Sequence, residues 1–181
     1  MFTWLESIKG QIDGDLDIKW KAFALDQQNS QEGADFFMWE HPDFPSQGVL
    51  ALVAGKAAKN QGGESFLRFH LGTFRAKHDE GKDIASREVL REVAKDAGID
   101  AVRFEKDMDS GKTWEAIGED HLEAKRKYEV FGVPTLVFGQ GGAVFVKLES
   151  IPDSMDERVS LFAFISDMAE KMPYLRELKR P

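Results

Sequence analysis

The sequence predicts an α/β sandwich with a helical block set into it, and three observations lead there. Apolar residues recur at three- and four-residue intervals through most of positions 46–130, as amphipathic helices require. The period falls to two around Leu16–Leu25 and shortens again after Pro134, where strands are expected. The order is then helix–strand, about four helices, and strand–strand–helix, which fits a layered α/β domain carrying an inserted helical subdomain.

Each element has a local cause. Leu5, Ile8 and Ile12 with Trp4 alongside predict a helix over 1–12, stopped by the turn residues Asp13-Gly14-Asp15. Ile18, Trp20 and Ala22 alternate with Asp17, Lys19 and Lys21, which predicts a strand over Leu16–Leu25. Positions 26–44 are polar around an aromatic cluster and read as a long ordered loop. Val49, Leu50, Val53 and Ala57 share a stripe over 46–60, closed by Gly62-Gly63. Phe66, Leu67, His70, Leu71 and Phe74 share a face over 64–79. Over 86–97, Ser86 is placed to cap a helix carrying Val89, Leu90, Val93 and Ala94, and Gly98 follows its end. Asp100 caps a short helix with Phe104 and Met108. Trp114, Ile117, His121, Ala124 and Tyr128 form the stripe of a helix over 113–130. Pro134–Phe138 and Ala143–Leu148 flank Gln140-Gly141-Gly142 and predict a hairpin. Ser154 with Glu157 is a capping box that opens a last helix ending at Pro173.

Composition narrows the function. The 181 residues include no cysteine, which excludes thiol nucleophiles, disulfides, Cys-ligated zinc and iron–sulfur clusters from these residues. The net charge of −8 argues against nucleic-acid or anionic-membrane partners. No apolar run approaches the roughly 18 residues that span a bilayer. The first residues lack the basic and apolar regions of a secretory signal, so a cytoplasmic location is expected.

The stretch Phe131-Gly132-Val133-Pro134-Thr135-Leu136-Val137-Phe138, after a helix and before a hairpin, resembles the cis-proline loop of the thioredoxin superfamily. The helix containing Glu119-Asp120-His121 and Ala124, and the Trp4-Leu5-Glu6 helix followed by Ile18-Lys19-Trp20-Lys21-Ala22-Phe23, are similar more specifically to the DsbA family. The resemblance implies a thioredoxin-like domain over 1–30 and 131–181, with a helical subdomain inserted over 46–130. The residues alone leave the Val133–Pro134 bond open, since X-Pro bonds are mostly trans. The resemblance implies a cis bond that leaves the residue 133 backbone free to pair with an extended peptide. Gly132, Val133, Pro134 and Thr135 are therefore the expected substrate-binding residues.

The same resemblance implies a thiol–disulfide oxidoreductase whose first, central strand leads into Cys-x-x-Cys. Neither feature lies in this sequence, so no residue is assigned a catalytic role and the chain as given is expected to be redox-inactive. Without the central strand, Leu16–Leu25 would stand roughly 9–10 Å from Pro134–Phe138, two strand spacings away. A homodimer or a rearranged sheet would close that gap. The expected explanation is a longer gene product, with a reading frame that continues at least about ten to fifteen codons upstream of Met1 through a strand and a dithiol motif. A non-catalytic peptide-binding module is the alternative function. A relative of glutathione-dependent isomerases is another, in which a serine replaces the cysteine and a glutathione-like thiol is the ligand. Thr3 and Ser7 are the nearby hydroxyls.

Other candidates are weaker. His70 and His121, each in its helix's apolar stripe, read first as core histidines that donate to a core carbonyl, with pocket lining as the alternative and a metal site behind it; Trp4 and Trp39 are further candidates to line a pocket. No metal and no cofactor are expected. Trp20, Phe23, Phe36, Phe37 and Trp39 read as core and loop packing, with an apolar groove as the alternative.

Overall fold

The computed structural model describes residues 1–12, 16–139, 141–175 and 177. The turn read at Asp13-Gly14-Asp15, and Gln140 of the hairpin turn, lie outside the described residues. Two compact units emerge, one from Met1–Trp20 with Glu123–Pro181, the other from Lys21–Leu122.

In the first unit, helix α1 (Phe2–Ile8) is shorter than expected and buries Phe2, Trp4, Leu5 and Ile8. Strands β1 (Thr135–Val137) and β2 (Ala143–Phe145) pair antiparallel, with Leu136 opposite Val144. Helix α8 (Met155–Lys171) begins at the Ser154–Glu157 capping box. Trp4, Leu5 and Ile8 meet Val146 and Ile165 in one core. Trp4 is fully buried, and its indole N–H donates to the Arg158 carbonyl at 3.1 Å, so burial leaves no orphan donor. The hairpin turn lies against α8 so closely that a Cβ on Gly142 would run into the Ala169 backbone.

The second unit is helical. It holds α2 (Leu25–Gln28), a 3₁₀ turn (Met38–Glu40), α3 (Val49–Lys59), α4 (Gly63–His78), α5 (Arg87–Asp96), α6 (Ala101–Met108) and α7 (Gly111–Tyr128) as far as Leu122. Small residues let α3 approach its neighbours, and Ala54, Ala57 and Ala58 are fully buried there. Phe69, Leu90 and Phe104 fill the remaining core. The caps act as their chemistry requires. The Ser86 hydroxyl accepts from the Val89 amide, and the Asp100 carboxylate accepts from the Arg103 amide at 2.7 Å.

The expected strand over Leu16–Leu25 does not form. Residues 16–24 have no strand partner among the described residues, and the only sheet there is β1–β2. The alternation that signals extended backbone is real, but its donors go elsewhere. The Ala22 amide donates to the Asp120 carboxylate at 2.8 Å, and the Ala24 amide to the His121 ring at 3.2 Å. Side chains of α7 thus replace a ladder as the hydrogen-bond acceptors.

The core assignment predicts that Leu90→Ala, which opens a cavity at a fully buried site, lowers stability by about 2–5 kcal/mol. Val102→Ala, at a position 81% exposed, should change it by less than about 0.5 kcal/mol. Denaturant titration of both variants checks the contrast.

Candidate functional site

The Phe131–Thr135 loop follows the last turn of α7, where Glu129 adopts a left-handed φ of 54° and the Val130 amide donates to the Ala124 carbonyl at 3.1 Å. The Val133–Pro134 bond is cis. Two hydrogen bonds hold the loop. The Thr135 hydroxyl donates to the Gly132 carbonyl at 2.7 Å, and the Val146 amide donates to the Pro134 carbonyl at 3.0 Å. Between these anchored residues, Val133 makes no hydrogen bond through its N–H or C=O among the described residues. Its side chain is 41% exposed, and Phe131 beside it is 66% exposed. The Phe131 ring rests on Phe145 with centroids 5.3 Å apart, so the loop and strand β2 present joined apolar surface. β1 is paired on one side only among the described residues.

The other sequence candidates fall in separate places. Trp4 belongs to the core of the first unit. Ser7 spends its hydroxyl on the Trp4 carbonyl at 2.7 Å within its own helix, while Thr3 is exposed. In the second unit, His121 is buried, its ring stacked on Phe23 at 4.5 Å and 5.4 Å from Trp39. Accepting the Ala24 amide proton at Nδ1 makes it a neutral imidazole protonated at Nε2. Trp39 lines a groove of about 820 Å³, and neither His70 nor His121 is among the lining residues. A Cβ on Gly118 would collide with the Trp39 indole, so glycine is what lets that ring lie against α7. Among the described residues, no three His, Asp or Glu side chains converge in a way that would hold a metal ion. No helix among them is long and apolar enough to cross a membrane.

Asp120 is the polar residue that sequence reasoning quoted without giving it a role. Its carboxylate is almost wholly buried, and it accepts from Lys56 at 2.6 Å, from the Ala22 amide and from Lys21 at 3.0 Å. Burial is the largest single influence and pushes the carboxyl up. The Lys56, Ala22 and Lys21 hydrogen bonds, with the Lys56 charge, outweigh it and hold the group below its ordinary value. The one signal in the sequence was two adjacent polar residues at the inward side of an otherwise apolar helix stripe. Lys56 and Lys21 lie 64 and 99 residues away and carried no signal.

His70 sits in a ladder along α4, stacked on Phe66 at 5.3 Å and meeting Phe74 edge-on at 4.9 Å. Burial among these rings lowers its pKa to about 4.

A family model of the DSBA-like thioredoxin domain matches residues 2–156. That span is most of the 181 residues, and the chain belongs to the DSBA-like thioredoxin family. It does so without a cysteine.

Two pH effects follow. The folded Asp120 carboxyl binds its proton less readily than the unfolded one, so its stabilisation holds above about pH 4 and fades as pH falls further. Asp120→Ala is expected to lose roughly 3 kcal/mol at pH 7, with the gap to the parent narrowing below about pH 4. Folded His70 stays neutral where the unfolded chain takes up a proton, so its contribution is complete above 6.5 and lost as pH falls toward about 4. Proton NMR of the His70 ring should show a midpoint near 4, and a midpoint near 6.5 would contradict the buried ladder.

Proposed function

We propose that this DSBA-like domain binds extended polypeptide along Gly132, Val133, Pro134 and Thr135, and that its own side chains carry out no thiol–disulfide exchange. The observation that carries the reading is Val133. Among the described residues its backbone donor and acceptor make no hydrogen bond, while the residues on either side are tied down. An extended chain laid beside it gains main-chain hydrogen bonds, as in strand addition, next to the one-sided edge of β1. Phe131, Val133 and Phe145 supply apolar contact for its side chains.

The family is of the thiol–disulfide oxidoreductase type, and such exchange needs an attacking thiolate. These residues hold no sulfur other than methionine. Binding without exchange is what the chemistry present supports. Organisation of the chain fits the same family. Lys21–Leu122 lies in sequence between the two segments of the first unit, and we read it as a helical insertion in a thioredoxin-like unit.

Binding of short extended peptides, followed by calorimetry and by amide shifts of Phe131–Thr135, tests the reading. Phe131→Asp and Val133→Asp alter exposed side chains, so each should weaken binding about tenfold or more with little change in thermal midpoint. Unchanged affinity in both variants, or shifts confined to other residues, would overturn the site. Turnover of a model dithiol above a buffer control would overturn the claim that exchange is absent.

A further inference from the structure

The second unit carries a groove that the peptide reading does not use. α7 builds one wall with a regular pattern. Trp114, Gly118 and Leu122 recur at four-residue intervals along the groove, with the Trp39 indole lying against Gly118, and Glu115 and Glu119, also four apart, line it too. Leu50 of α3 and Trp39 of the 3₁₀ turn complete the apolar floor. Glu40 and Asp43, outside α7, line the groove as well.

The charge is one-sided. Glu40, Asp43, Glu115 and Glu119 are all exposed and make no ion pair among the described residues. Among the described residues Arg87 is the one basic residue lining the groove, and it is already committed. Its guanidinium pairs with Glu105 at 2.8 Å and with Asp109 at 2.6 Å. Among the described residues an anionic ligand would thus meet five carboxylates, of which only Asp109 is paired, and no uncommitted cation. The two indoles, each more than nine-tenths buried, contribute what remains exposed of them to the apolar lining.

The volume, about 820 Å³, lies within the roughly 300–1,000 Å³ common for ligand sites, but the groove is open rather than enclosed. Open shape, an apolar lining and acids that pair with no described cation match a polypeptide whose apolar side chains alternate with basic ones. We propose that this groove is a docking site for a basic peptide segment anchored by an aliphatic or aromatic side chain. Apolar anchors would sit on the lining formed by Trp39, Leu50, Trp114 and Leu122, while lysine or arginine side chains would meet Glu40, Asp43, Glu115 and Glu119. The inference stands on the second unit alone and does not depend on the Val133 loop.

Three synthetic octapeptides separate the outcomes: alternating Lys and Leu, alternating Glu and Leu, and alternating Lys and Ser. Calorimetry should find the Lys/Leu peptide binding at least about tenfold more tightly than either other peptide, and less tightly as salt rises. The indole N–H signals of Trp39 and Trp114 should shift on its addition. Glu115→Gln with Glu119→Gln should weaken it about fivefold or more, with an unchanged thermal midpoint because both residues are exposed. Equal binding of the Glu/Leu peptide would overturn the charge argument, and equal binding of the Lys/Ser peptide would reduce the groove to a nonspecific acidic surface. Unmoved indole signals, or undiminished affinity in the double variant, would overturn the location. Failure at the Val133 loop with success here, or the reverse, shows in which signals move.

Discussion

The second unit depends on a debt of backbone hydrogen bonds met by two adjacent side chains. Residues 21–24 are neither helix nor strand and bury Ala22, Phe23 and Ala24, and no strand lies beside them among the described residues. A buried amide without an acceptor costs about 1–3 kcal/mol, and here alternate amides point the same way. Asp120 and His121 take those two protons from 98 and 97 residues away in sequence. The cost of burying the carboxylate is offset by Lys56 and Lys21, and that of burying the imidazole by its stacking on Phe23.

The arrangement explains why α7 cannot vary freely around its circumference. One face presents Asp120 and His121 to residues 21–24. Ile117 enters the same core as Trp39 and Trp114. Gly118 must stay small because the Trp39 indole occupies the space a side chain would need. A neighbouring strip carries Glu115, Glu119 and Leu122 to the groove. Changing the helix phase by one residue would strand the Ala22 and Ala24 donors and bring bulk against Trp39 together.

Much of this was legible in the residues. The caps at Ser86, Asp100 and Ser154 were visible because capping is a local matter of three or four residues. The long helices were visible from their apolar stripes, and the hairpin from its turn and alternation. Leu16–Leu25 misled because a period of two reports extended backbone, not the partner that satisfies it. The Asp120 cluster and the Trp39–Gly118 contact stayed hidden for the same reason. They join residues far apart in sequence, and no local pattern encodes them. At the loop, the resemblance pointed to Gly132–Thr135 and to a free residue 133 backbone, and Val133 makes no backbone hydrogen bond among the described residues.

Native-state hydrogen exchange of the Ala22 and Ala24 amides tests the central claim most directly. Both amides should exchange far more slowly than the same sequence in a free peptide, although neither lies in a helix or sheet. Replacing Asp120 by Ala should release Ala22, and replacing His121 by Phe, which keeps an aromatic ring but removes the acceptor, should release Ala24 selectively. Exchange of both amides at free-peptide rates in the unaltered protein would contradict the account.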